Sequence, residues 1–277
     1  MSIEVPKILY EKNINGKFLF VRHGKTFYNK RKELDGTSDH FKAEPTLINA
    51  HLCEDGINQA KELQKTFNNI EIEEIYVSPL YRTLQTAYYI FENHPNRENI
   101  IIKIHPLITE IIASCHDIIV NIEEAKKDFN LNSKVKYDWS IFDSYYKDKK
   151  SQNTFFVNNI DIFPNNSKDE IKLILDNYNS NEYLNSLIKV LHKSIDLKFN
   201  GRLETYKHGF YRNLKFKEFL KEKHKNENNL NKKIVVISHS HFIQICTSKL
   251  AYSMEKIDEI PKDACLIKNC EAISMII

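Results

Sequence analysis

The stretch 17-KFLFVRHGKTFYN-29 runs from an apolar segment straight into Arg22 and His23, with Gly24 behind them and Asn29 at its end. A brief aromatic and β-branched run bounded by polar residues predicts a short buried strand. A cation and an imidazole therefore stand where a strand ends and the chain must turn. Three further runs have the same character: 74-EIYV-77, 99-NIIIKI-104 and 232-KKIVVIS-238. Between the first two strands, Ile57, Ala60, Leu63 and Phe67 recur at helical spacing in 56-GINQAKELQKTFNN-69. A second helix is predicted over 80-LYRTLQTAYYIFEN-93, with Pro79 near its first turn, and a third over 214-LKFKEFLKEKHK-225. The segment 272-AISMII-277 predicts a closing strand. Strands alternating with helices predict an α/β fold in three layers, with a mostly parallel central sheet between two helical layers.

The chain has 277 residues, 42% of them hydrophobic, enough for one large domain. Forty basic and 37 acidic residues give a net charge of +3, too balanced for a nucleic-acid or membrane-surface partner. The five cysteines form no C-x-x-C pair and predict reduced thiols in the cytoplasm. No segment has the length of a membrane span or the pattern of a signal peptide. A single domain over residues 1–277 is expected, carrying a short insertion at about 38–51 and a large Asn- and Lys-rich one at about 118–203.

In open α/β sheets, ligands bind beyond the carboxyl ends of the strands. Arg22 and His23 follow the first strand, Arg82 the second, and His239 a late one. Two guanidiniums and two imidazoles at one sheet edge would form a cationic cup, and the planar arginine fork matches phosphate oxygens. No serine or cysteine has an obvious partner base. A neutral imidazole can itself attack phosphorus, provided one ring nitrogen is bare and the other donates to a fixed acceptor. His23 beside Gly24 fits that need. Glu110, after the strand 99–104, is the carboxyl nearest a further strand end and can act as acid and base. His239 and His241, two apart, could alternatively serve as metal ligands, but no third ligand accompanies them, and neither metal nor cofactor is expected.

Four segments together resemble the histidine phosphatase superfamily, also called phosphoglycerate mutase-like. "RHGKTFYN" is similar to its R-H-G-x-T-x-x-N motif and "LCEDGINQA" to its L-T-x-x-G-x-x-Q-A segment. "SPLYRTLQTA" resembles S-P-L-x-R-T-x-Q-T-A, and "VISHSHFI" resembles V-x-H-G-x-x-I, all in the family's order. The resemblance implies a phosphomonoester hydrolase without metal, with His23 as the phosphorylated nucleophile. It also implies that Arg22, Arg82 and His239 form the phosphate pocket, Asn29 supports it, and Glu110 does acid–base work. Glu204, in "GRLETY", would be a helix-start or pocket-rim residue. The substrate would be a phosphorylated small molecule or phosphoprotein.

This sequence departs from the family at Lys25, usually Glu or Gln, which adds a positive charge beside His23. It also departs at Ser240 and His241, usually Gly-Gly, which would narrow the pocket floor. The basic lid of cofactor-dependent mutases is missing. The competing readings are phosphoglycerate-mutase-type transfer and a catalytically weak pocket that binds partners.

Overall fold

Strand β2, Phe18–Arg22, buries Leu19 and Val21 on one face and Phe20 on the other, as period-two alternation requires of a strand covered on both sides. The computed structural model describes residues 9–42, 44–119, 121–131, 133–148, 151–152, 186, 204–225, 231–248 and 264–277. Among them, β2 joins β3 (Ile72–Val77), β4 (Ile101–Ile104), β5 (Lys136–Asp138), β6 (Lys233–Ser238), β7 (Ala272–Met275) and the edge strand β1 (Tyr10–Glu11). The order is β1-β7-β2-β6-β3-β4-β5. Strands β2 to β6 pair in parallel, while β7 runs antiparallel to both β2 and β1.

Register determines what meets at the carboxyl edge. Arg22 pairs with Ser238, and Val77 with both Ile237 and Ile104. The residues that follow (His23, His239, Ser78 and His105) therefore emerge together.

Each sheet face carries its own core. Leu19, Val21, Ile75, Val77, Val235 and Ile237 pack against α2 (Glu54–Phe67) and α3 (Tyr81–Phe91) through Ala60, Phe67, Leu84 and Ile90. Phe20, Tyr76, Ile234, Val236 and Ile273 pack on the other side. They meet Phe216 and Leu220 of the long helix Tyr206–His224, and Phe242 and Ile243 of the helix Ser240–Thr247. The result is the expected α/β/α sandwich.

The composition change near residue 118 is not a break in the core. The helix α4 (Ile122–Leu131), the strand β5 and the helix α5 (Ser140–Tyr145) extend the sheet and its first core through Ile122, Phe129, Tyr137, Trp139 and Phe142. A three-residue strand is too short to display alternation, so its hydrophobics look merely clustered in the sequence. Of the large insertion, residues 153–185 and 187–203 lie outside the described residues, as do residues 226–230 of the linker before β6. In the short insertion, two single-turn 3₁₀ segments bury Phe41 and Leu47. The two helices on the second face are numbered α6 (Tyr206–His224) and α7 (Ser240–Thr247), and the helix Phe27–Asp35 after the first strand end is α1.

Candidate active site

The turn after β2 explains the spacing of its motif. Thr26 caps α1: its hydroxyl accepts from the Asn29 N–H at 3.0 Å, and Asn29 Oδ1 accepts from the Thr26 N–H at 3.2 Å. Asn29 is thus a capping-box partner as well as a residue lining the cleft, and that reciprocal bond sets the three-residue interval. The Gly24 N–H donates to Thr86 Oγ1 of α3 at 2.9 Å, tying the turn to the SPLYRTLQTA segment.

His23 is 4% exposed. Its Nδ1 lies 2.7 Å from the Gly24 carbonyl oxygen. A carbonyl only accepts, so Nδ1 carries the proton and Nε2 presents a bare lone pair. Burial, then Arg82 and Arg22, hold the imidazole well below its ordinary titration range. The ring is neutral and correctly protonated for attack.

Arg22, His23, Arg82 and Glu110 line one cleft with Asn29. Arg22 Nη1 donates to the Ile267 carbonyl at 2.9 Å, while its buried Nε has no partner among the described residues. Such an orphaned cationic donor suits an anion's oxygen. Arg82, 1% exposed, donates from Nε to His239 Nδ1 at 3.1 Å and from Nη2 to Asp117 Oδ1 at 2.8 Å. His239 Nδ1 is therefore the acceptor, and its Nε2–H donates to Ser78 Oγ at 2.8 Å. His239 is fully buried behind Arg82, its ring centre 5.3 Å from that of His23. His239 meets Arg82 through that bond and is not among the residues that line the cleft.

Glu110 is 4% exposed and sits at the N-terminus of α7. Its carboxylate accepts from the backbone N–H groups of Phe242 at 3.1 Å, His241 at 3.3 Å and Ile111 at 2.9 Å, and from Ser240 Oγ at 3.3 Å. Burial pushes the carboxyl up, but the facing His241, His239 and Arg82 outweigh it and hold it well below the usual carboxylate range.

The loop bearing Glu110 is gripped from behind. Arg212 of α6 donates to the Leu107, Thr109 and Glu110 carbonyls at 2.8, 3.0 and 3.2 Å, and forms a forked pair with Glu204. Glu204 in turn accepts from the Ile112 N–H at 3.0 Å. Glu204 is fully buried, so it is a loop clamp and stands away from the pocket rim.

The segment 115-CHD-117 lies outside the four motif-like stretches. The structure turns it into the cleft. Asp117 is the buried ion-pair partner of Arg82, its carboxyl raised to about 6 by burial against the opposing pull of Arg82. His116 stacks on Tyr28 with ring centres 3.5 Å apart, and both line the cleft. Lys32 and Lys42 complete its wall, a contribution with no motif to signal it.

Lys25 turns away from the cleft. Its ammonium pairs with Glu33 and, at 3.6 Å, Asp55, so its charge is spent on the surface. His239 and His241 address different partners, Arg82 and Glu110, because one caps α7 and the other lies in its first turn. Among the described residues, no group of three or more His, Cys, Asp or Glu is placed to hold a metal ion.

With this geometry in view, the comparisons fall into line. Residues 18–131 match the model of the histidine phosphatase superfamily (branch 1). A fructose-2,6-bisphosphatase TIGAR of Xenopus tropicalis is 37% identical over 80 residues, 29% of this chain and 26% of that protein. Its Xenopus laevis counterpart is 34% identical over 90 residues, 32% and 30% of the two chains. The chain thus spans less than a third of the length of these relatives. Among solved structures, a phosphoglycerate mutase from Bacillus anthracis str. Sterne superposes with a TM-score of 0.45 at 13% identity, covering 94% of this chain and 90% of the other. A phosphoserine phosphatase from Entamoeba histolytica, in complex with 3-phosphoglyceric acid, gives 0.41 at 17% identity, covering 92% and 87%.

Proposed function

We propose, for a chain that belongs over residues 18–131 to the histidine phosphatase superfamily (branch 1), that it hydrolyses phosphomonoesters through a phosphohistidine on His23. The observation that carries this reading is the His23 ring itself: neutral, Nδ1 tied to the Gly24 carbonyl, Nε2 bare, and flanked by Arg22 and Arg82. Nε2 attacks phosphorus as the ester oxygen leaves. The two guanidiniums hold the phosphoryl oxygens and offset the charge spread over them in flight. Glu110, at the same cleft, is the carboxylate that supports proton transfer to the leaving oxygen and from the water that cleaves the phosphohistidine. His239 orients Arg82, and Asn29 supports the pocket wall.

The substrate is a phosphorylated small molecule whose leaving group carries further negative charge. Lys32, on the same face of α1 as Tyr28 and Asn29, and Lys42, on the wall beside it, support that reading. The Xenopus relatives are named for a bisphosphate substrate, which agrees with it. All five cysteines are unpaired, in keeping with a reducing, cytoplasmic setting, and among the described residues no helix is long and apolar enough to cross a membrane.

The test is a panel of phosphate esters on purified protein, with and without a bisphosphoglycerate primer. Phosphate release that needs no primer is the expected result. Primer-dependent isomerisation would identify a mutase, and tight binding without turnover would identify a binding module.

A further inference from the structure

Resting on the phosphohydrolase reading, we propose that His241 is a catalytic residue, the group that hands a proton to the leaving oxygen, with Glu110 as its carboxylate partner. Among the described residues, the hydrogen bonds to the Glu110 carboxylate come from three backbone N–H groups and the Ser240 hydroxyl. A carboxylate so surrounded is kept ionised, and an ionised carboxylate has no proton to give.

His241 stands beside it in the right place. It lines the cleft with Arg22, His23 and Arg82, and its Nδ1 lies 3.4 Å from Glu110 Oε2. Its side chain is 31% exposed, and its Nε2 has no protein partner among the described residues. Carboxylate–imidazole pairs of this kind fix which nitrogen faces the reactants. Here Nδ1 is committed to Glu110, which leaves Nε2–H for the substrate. The resemblance to the phosphatase family has glycine at this position, so the proton-carrying role belongs to this chain's own departure from the pattern.

The step balances. His23 Nε2 forms the P–N bond as the P–O bond breaks, and the leaving oxygen takes the Nε2 proton of imidazolium His241. Neutral His241 then removes a proton from the water that attacks the phosphohistidine, the P–N bond breaks, and both rings return to their starting states. The charged and titratable groups sharing the cleft with His241 are Glu110, His116, Asp117, Arg22, His23 and Arg82, with Lys32, Lys42 and Asp39 on its outer wall. Of these, Glu110, His116 and Asp117 feel the charge of His241 directly.

The test compares wild type, His241→Gly, His241→Gln and Glu110→Gln by kcat/KM against pH, on an alkyl phosphate and on p-nitrophenyl phosphate. Gln keeps α7 intact should Gly weaken its first turn. Both His241 variants should lose about 10²-fold or more on the alkyl phosphate and much less on the nitrophenyl ester, whose leaving group needs no acid. Added imidazole should restore part of the His241→Gly loss. A selective loss in Glu110→Gln with none in either His241 variant would make Glu110 the direct donor and overturn the proposal. Equal losses on both esters would make His241 a binding residue and overturn it equally. Absence of phosphohistidine in wild-type protein would instead fail the phosphohydrolase reading beneath it.

Discussion

Gly24 and Gly56 pack backbone on backbone: a methyl group on Gly24 would lie 2.6 Å from the Gly56 carbonyl oxygen. One glycine follows His23, the other sits in the first turn of α2, and the contact sets how close that helix comes to the strand end. A methyl group on Gly56 would lie 2.0 Å from the Lys25 carbonyl oxygen and 2.7 Å from the Lys25 nitrogen. Both are main-chain atoms, with no side chain to swing aside.

Gly56→Ala should therefore destabilise the fold by about 1–3 kcal/mol, the usual cost of overpacking. It should also lower kcat, because the displaced turn carries His23. Urea unfolding and steady-state assays on the same preparation check both. A variant of wild-type stability and activity would show that the turn can shift without cost.

Replacing His23 by alanine should abolish the covalent intermediate. During turnover, an acid-labile, base-stable phosphoryl label is expected on the wild type and absent from His23→Ala. Label on a serine or cysteine would refute the mechanism.

Loss of Glu110 and loss of Arg82 should be distinguishable by leaving group. Glu110→Gln should slow alkyl phosphates by about 10²–10⁴-fold and spare the nitrophenyl ester. Arg82→Ala should slow both alike, since Arg82 holds the phosphoryl group. Matching losses for Glu110→Gln on the two esters would remove it from leaving-group chemistry.

Activity should persist in a chelator. In the proposed mechanism Arg22 and Arg82 bring to the phosphoryl oxygens the positive charge that a metal would otherwise supply. Loss in chelator with recovery on adding a divalent ion would contradict this.

His105 gives a pH signature in stability. It is buried against Phe216 and Phe219, ring centres 4.9 and 4.8 Å away, and burial pushes it down to about 3. An unfolded chain titrates the same group near 6.5. Between those values the unfolded state binds a proton that the folded state refuses, so stability falls as pH drops below about 6.5. From pH 7 to pH 5 the loss from this one group is about 2 kcal/mol. His105→Phe should recover that part of the acid sensitivity in unfolding curves at the two pH values. His23, His116 and His239, held down in the same direction, leave the remainder in place.

By itself the sequence determined the alternation of strands and helices, because buried parallel strands must be short and apolar and their covering helices amphipathic. It also determined which residues reach the carboxyl edge: Arg22 ends a strand, His23 and His239 directly follow one, and Arg82 lies in the first turn of the helix after one. It did not reveal β5, whose three residues carry no readable period, nor the part that 115-CHD-117 plays in the cleft.

Tertiary structure alone decided what each polar side chain faces. The Thr26–Asn29 interval is a helix cap as much as a pocket feature. The charge of Lys25 is spent on Glu33 and Asp55. His239 holds Arg82 while His241 meets Glu110, and Arg212 and Glu204 grip the Glu110 loop. Periodicity reports which side of a segment is buried. The partner of a buried charge comes from another segment, often a hundred residues away, and only packing brings the two within the few ångströms at which hydrogen bonds and ion pairs act.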